Sequence, residues 1–294
     1  MKFLAQLGSL LSGNRVSLSD RFQILSEAVN GTMSNFHRAL DKKHNKMVGL
    51  KILDSEKTQA FESRFKLLKK PSEGEIGLAL KHPRVVETYE TGMLTDGRKY
   101  ILMEYIEGMG LNSLIKMGSK SLDGNRYLLI EQMAEAVEAV HKAGFIHRDI
   151  CPRNFIVAAD GMTLKLIDFG LTLPDEPAFR QPGNRTGTPL YLAPEIVRRK
   201  QTDQRVDIFA FGVTCYQLCT GEFPWPGTDV TGTGALSHDT TPPEPILRKI
   251  PALNQTLAKV IMQCIQADPN ARPQTAEAIV KQLKSVTSDT EPGK

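Results

Sequence analysis

The sequence is short of cysteine, of long apolar runs and of one-sided charge. Its 294 residues include 4 cysteines, at Cys151, Cys215, Cys219 and Cys264. None sits in a C-x-x-C pair and the spacings fit no zinc pattern, which excludes a disulfide-stapled miniprotein and predicts a reduced, cytoplasmic setting. No apolar run approaches the roughly 18 residues that a membrane span needs, so no integral membrane segment is expected. Lysine and arginine (37) nearly balance aspartate and glutamate (33), a net charge of +4. Without a dense Lys/Arg stripe this is no nucleic-acid footprint, although phosphate-bearing ligands stay open. There is no internal repeat and no low-complexity stretch. With 40% hydrophobic and 24% charged residues, the composition is that of a folded globular chain of one or two domains.

Phe3, Leu4, Leu7, Leu10 and Leu11 stand at helical spacing. They predict an amphipathic helix within residues 1–20 that packs on the main body, with a membrane-surface anchor as the alternative. The polar end of the chain, residues 288–294, is expected to be a flexible tail. Arg21–Ala28, His37–Leu40, Met47–Leu53, Val85–Thr91 and Lys99–Tyr105 are predicted strands, the last two joined by a turn at Thr95–Gly97. A charged, helix-prone stretch runs from Ser55 to Lys81. Beyond Gly108 the pattern turns helical: Leu122–Ala143 stopping at Gly144, Arg205–Thr220 apolar on every side, then Leu253–Ala267 and Thr275–Val286. The fold class is therefore α+β. A small β-rich part (21–106) with one helix precedes a larger, mainly helical part (107–287).

Three short motifs carry chemistry: His147-Arg148-Asp149-Ile150-Cys151-Pro152-Arg153-Asn154, Asp168-Phe169-Gly170 and Ala193-Pro194-Glu195. They occur in that order behind Val48-Gly49-Leu50-Lys51. Together they resemble the eukaryotic-type protein kinase family, in its bacterial Ser/Thr branch, from about Arg21 to Val286. Phosphoryl transfer needs positioning and charge compensation more than covalent chemistry. The resemblance makes Asp149 the carboxylate that orients the acceptor hydroxyl and takes its proton. It makes Asn154 and Asp168 the Mg²⁺ ligands, a neutral and a charged oxygen that phosphate oxygens would supplement. Lys51 becomes the phosphate-gripping lysine. Its partner is Glu73 by counting back from His82-Pro83, with Glu75 as the alternative. Pro71 breaks a helix there, and Ser72-Glu73-Gly74-Glu75 reads as a capping box that starts one.

The resemblance also implies an ATP site. Ala28, Val29 and Gly31 would cover the nucleotide. Gly49 would lie above the adenine and Ile156 below it. Met103 would be the gatekeeper, with the backbone of Glu104 and Ile106 hydrogen-bonding the base. Thr188 would hydrogen-bond Asp149, Arg272 would pair with Glu195, and Asp207 would anchor the catalytic loop.

Three departures from the family pattern stand out. The glycine-rich loop keeps only its middle glycine, its three positions falling on Val29, Gly31 and Ser34. Gly49 replaces an alanine and Phe36 a valine, so either the Phe36 ring fills the vacated space or it simply packs in the sheet. Cys151 replaces the lysine two residues after Asp149. Arg153 could then supply the missing charge; its alternative is an ordinary solvated arginine. Arg148 suggests regulation by a phosphorylated residue of segment 168–195, with Thr186 the first candidate and Thr172 the second. The expected function is ATP- and Mg²⁺-dependent phosphorylation of Ser/Thr hydroxyls in protein substrates, with dimerisation as a route to autophosphorylation. A pseudokinase scaffold is the alternative, and a small-molecule kinase a third.

Overall fold

The structure is a computed structural model, and it describes residues 15–31, 33–225 and 234–290. The expected helix over Met1–Leu11 lies outside the described residues. The chain divides into two compact units, residues 1–107 and 108–294.

The first unit is built on a sheet. A short helix, α1 (Leu18–Arg21), leads into β1 (Phe22–Ile24), β2 (Val29–Asn30), β3 (Ser34–Asp41) and β4 (Lys46–Leu53). Helices α2 (Ser55–Glu62) and α3 (Glu73–Ala79) follow, then β5 (Thr88–Met93) and β6 (Lys99–Glu104). The strand order is β1-β3-β4-β6-β5, with β2 paired to β3 and every pair antiparallel. The period of two sorts the side chains. Ala39, Val48, Leu50, Ile52, Tyr100 and Leu102 join Phe22 and Leu94 in a buried cluster on one face. Phe36, Gly49, Lys51 and Met103 belong to the other face by register.

Several expectations shift. The first strand is split between β1 and β2. The stretch Ser55–Lys81 breaks into α2, a 3₁₀ turn over Ser63–Leu68 and α3, because Lys69 takes a left-handed φ of 50° and Pro71 cannot continue a helix. The strand expected at Val85–Thr91 is β5, which begins three residues later and ends two residues later. Residues 16–20, expected as part of a separate extension, belong to the first unit. Val16 forms a parallel bridge with Leu94, and α1 runs directly into β1.

The second unit opens with β7 (Gly108–Gly110), α4 (Leu111–Lys116) and the long α5 (Arg126–Lys142). β8 (Phe145–Ile146), β9 (Phe155–Ala158), β10 (Leu164–Leu166) and β11 (Leu173–Pro174) form two small sheets, β10-β9-β7 and β11-β8. Then come α6 (Pro194–Val197), α7 (Arg205–Thr220), α8 (Ile246–Lys249), α9 (Gln255–Cys264) and α10 (Ala276–Leu283). α7 is buried around almost its whole circumference, as its apolar sequence predicts, and packs on α5 and α9. Thr275 caps α10 through its hydroxyl.

The expected flexible tail is corrected over 288–290. Asp289 is buried; its carboxylate accepts the amides of Arg126 (3.3 Å) and Tyr127 (2.7 Å) at the start of α5. Its carbonyl accepts the Asn254 amide, and Thr290 bridges Leu253. A helix start leaves its first amides without intrahelical acceptors, so a carboxylate there is satisfied on both sides. Among the described residues no helix is long and apolar enough to cross a membrane.

Candidate active site

Within the first unit, β4 delivers Lys51 and α3 delivers Glu73. Their side chains are buried and form an ion pair, Lys51 Nζ donating to Glu73 Oε1. The choice between Glu73 and Glu75 follows from the capping box. Glu75 turns back to Ser72, accepting from its amide and from its hydroxyl, both at 2.7 Å. That fixes the first turn of α3 and leaves Glu73, two residues earlier, directed at the lysine. α3 also sits unusually close to β5. A Cβ on Gly74 would stand 2.4 Å from Thr91 Oγ1, and one on Gly77 2.4 Å from Thr88 Oγ1. The two glycines weaken α3 as an isolated helix, yet they are what permits this approach.

Phe36 lies opposite Lys51 in the β3–β4 ladder. A Cβ on Gly49 would meet Phe36 Cε2 at 2.8 Å, Phe36 Cζ at 2.9 Å and Met103 Cγ at 3.1 Å. The Phe36 ring therefore occupies the space that an alanine methyl would need at 49. Of the other expected nucleotide-binding residues, Val29 is 67% exposed. Gly31 closes the β2–β3 turn, its amide donating to Ser34 O at 2.8 Å. Ala28 and Ile106 are partly buried and Met103 is buried. The Glu104 amide donates to Glu87 O at 2.9 Å.

Within the second unit, the loop between β8 and β9 carries Asp149 and Asn154. Asp207, buried in α7, holds this loop by its backbone, accepting the amides of His147 and Arg148 at 2.7 Å each. Burial pushes the Asp207 carboxyl up, but the hydrogen bond from His141 (2.9 Å), nearby His147 and those amides bring it below its ordinary value. His141 was not singled out from sequence; a histidine ending a helix carries no signal of a buried carboxylate beyond it. Arg148 is strained at φ +69° and Asp168 at φ +79°, the kind of backbone outlier that concentrates at functional sites.

The Asp149 carboxylate is fixed from two sides. Oδ1 accepts from Thr188 N (2.8 Å) and Thr188 Oγ1 (2.7 Å), and Oδ2 accepts from Asn154 Nδ2 (2.9 Å). Asn154 Nδ2 also donates to Asp149 O, so both Asn154 bonds use its nitrogen and its side-chain oxygen is left to act as a ligand. Asp168 Oδ1 accepts from the Gly170 amide at 3.0 Å. Arg153 is exposed, but its Nη2 donates to Thr188 Oγ1 at 2.8 Å. Ile156 on β9 is half-buried.

Cys151 is buried 3.7 Å from Thr188 Oγ1, and burial pushes its thiol up to about 11. It stays a neutral thiol near neutral pH, unsuited to nucleophilic chemistry. Glu195 and Arg272 form a buried two-pronged pair at 2.7 and 2.8 Å. Arg148 donates to Thr202 Oγ1 (3.3 Å) and to the Asn184 carbonyl (2.9 Å), and burial lowers its pKa. Thr172 is corrected as a phosphorylation candidate: it is fully buried, with its hydroxyl on the His147 carbonyl. Thr186 is half-buried and donates to Asn184 Oδ1 at 2.9 Å.

The sequence matches the protein kinase domain model over residues 22–283. Relatives include a probable serine/threonine-protein kinase of Clostridium acetobutylicum, 33% identical over 279 residues, covering 92% of this chain and 41% of the relative. Serine/threonine-protein kinase pkn3 of Myxococcus xanthus is 30% identical over 288 residues, covering 93% and 51%. PrkC of Bacillus subtilis is 30% identical over 279 residues, covering 94% and 42%. The chain thus spans about half the length, or less, of these relatives.

Proposed function

The chain belongs to the protein kinase family, and we propose that it transfers the γ-phosphoryl group of ATP to serine or threonine hydroxyls of protein substrates. The observation that carries this is the setting of Asp149. Three donors from Thr188 and Asn154 hold the carboxylate in one orientation. In the reaction the acceptor oxygen bonds to the γ-phosphorus, and the bond from that phosphorus to its bridging oxygen breaks. The electron pair leaves with ADP and the hydroxyl proton passes to Asp149. Lys51, aligned by Glu73, is assigned to the nucleotide phosphates.

The residues present fit magnesium. Asn154 retains an amide oxygen and Asp168 a carboxylate, both hard donors of the kind Mg²⁺ takes alongside phosphate oxygens. When bound, the ion would neutralise phosphate charge. Arg153 is assigned the charge that a lysine at position 151 would carry. Phosphorylation of Thr186 would place an anion beside Asn184, whose carbonyl already accepts from Arg148.

Transfer from radiolabelled ATP to a generic acceptor protein tests the proposal, with Mg²⁺ and with EDTA. Wild type should label the acceptor only with Mg²⁺, and Asp149→Asn should lose about 100-fold or more while still binding nucleotide. Equal labelling by the two proteins, or none by wild type, would leave the scaffold alternative.

A further inference from the structure

Besides the Tyr191 hydroxyl on Gln217 Oε1, three contacts hold the segment from Thr188 to Glu195 within the second unit. Thr188 is bound to Asp149, Glu195 to Arg272, and the Leu192 carbonyl to His238 Nδ1 at 3.0 Å. The first two belong to the family pattern. The third was not visible in the sequence.

His238 is buried, with its ring stacked on Trp225 (centroids 4.0 Å apart, planes at 22°) and tilted against Phe209 at 5.5 Å. Trp225 is itself fixed by its indole N–H on the Thr241 carbonyl at 2.9 Å. Because a carbonyl only accepts, the bond to Leu192 requires the proton on Nδ1. Nε2 is then a bare lone pair, and it is buried without a partner among the described residues. A buried unsatisfied nitrogen is unfavourable, and a phenylalanine would stack as well without it. Packing therefore does not explain a histidine at this place; its bond to Leu192 does. Arg198 supports the same junction from outside, donating to Asp239 (2.9 and 2.7 Å) and to the Leu236 carbonyl (3.2 Å).

We propose that His238 is a positioning residue for the acceptor polypeptide: by holding the Leu192 carbonyl it sets the far end of the segment whose near end, Thr188, touches Asp149. This rests on the kinase assignment above. The segment would then present its backbone to the acceptor chain, with Thr188 marking the reacting end and Leu192 the distal end. Loss of the Leu192 bond would loosen acceptor binding while leaving Asp149, Asn154 and Lys51 as they are.

The test measures steady-state kinetics with a serine/threonine peptide that the wild type phosphorylates, chosen from a library. His238→Phe keeps the stack and removes the donor. The expected result is a peptide KM raised about 5- to 10-fold, with the KM for ATP and the peptide-independent ATP hydrolysis within twofold of wild type. His238→Asn restores a donor near the Nδ1 position and should recover most of the peptide KM. An unchanged peptide KM in His238→Phe, an equal rise in both KM values, or no rescue by asparagine would overturn the proposal. If His238→Phe fails to fold, ¹⁵N NMR of wild-type His238 decides. Its ring signals should report the Nδ1–H tautomer and should move on adding peptide but not on adding Mg-nucleotide alone. A different tautomer or signals blind to peptide would sink it. A wild type that labels no peptide in the library overturns the kinase assignment as well, which separates the two failures.

Discussion

Arg153 reaches Asp149 through a single hydroxyl. Its Nη2 donates to Thr188 Oγ1 at 2.8 Å, and Thr188 Oγ1 donates to Asp149 Oδ1 at 2.7 Å. The arginine is thus neither free in solvent nor paired with the carboxylate; one side chain stands between them. That places a positive charge where it can compensate for the neutral, buried Cys151. Arg153→Ala should lower kcat about 10²-fold, the typical loss for one charge-stabilising donor, with little change in the thermal midpoint because the side chain is exposed. Turnover equal to wild type would remove Arg153 from the mechanism.

Gly49 and Phe36 form a size-matched pair. Gly49→Ala puts a methyl group within 2.8 Å of the Phe36 ring, an overpacking that typically costs about 1–3 kcal/mol. Phe36→Val vacates the space. The double variant Gly49→Ala/Phe36→Val should therefore be more stable than Gly49→Ala alone, as read from denaturant midpoints. Strict additivity of the two changes would show that the residues do not share that space.

Gly74 offers a sign test. Glycine to alanine inside a helix ordinarily gains about 1 kcal/mol. Here the new methyl would meet Thr91 Oγ1 at 2.4 Å, and that hydroxyl is held on the Tyr100 carbonyl at 2.9 Å. Gly74→Ala should destabilise the chain and spread Glu73 from Lys51. Gly74→Ala/Thr91→Gly, which also removes the Thr91 Cβ that the new methyl would meet at 2.6 Å, should recover stability relative to Gly74→Ala. A stabilised single variant would mean that α3 can stand off from β5 without cost.

Burial depresses His238 to about 4 from an ordinary value of 6.5, against smaller upward pulls from Leu192 O and Asp239. Burial also lowers His147, against Asp207, Asp149 and Asp168. A histidine kept neutral in the folded state contributes stability that is complete above the unfolded-state value near 6.5. That contribution falls away as the pH drops toward the folded value, because only the unfolded chain takes up the proton. For His238 the full loss is about 3 kcal/mol. Urea midpoints should fall between pH 7 and pH 5, and His238→Phe should flatten the slope by about one proton. An identical slope in the variant would place the titration elsewhere.

How much of this was legible in the sequence depended on range. Asp149, Asn154, Asp168 and Lys51 stand in short motifs whose spacing is fixed by one loop or one strand, so their types and order could be read directly. The pairing of Lys51 with Glu73 rather than Glu75 could be narrowed to two residues. The Ser72–Glu75 capping box, itself predicted, then decides it by occupying Glu75. His141 on Asp207, His238 on Leu192 and Asp289 on α5 escaped, because each is a contact across 46 to 163 residues with no local periodicity to betray it. Thr172 failed for a related reason: it was a candidate by its place in segment 168–195, and only tertiary packing shows that its hydroxyl is buried on the His147 carbonyl.

The clasp of Asp289 on the amides of Arg126 and Tyr127 gives the second unit a boundary later than family similarity would draw it. A fragment trimmed at Leu283 would keep every motif residue and yet expose two bare amides at the head of α5, a cap worth about 1 kcal/mol. Fraying from the carboxyl end would thus be felt at two distant places: the start of α9, where Asn254 loses its acceptor, and the helix that carries His141 to Asp207.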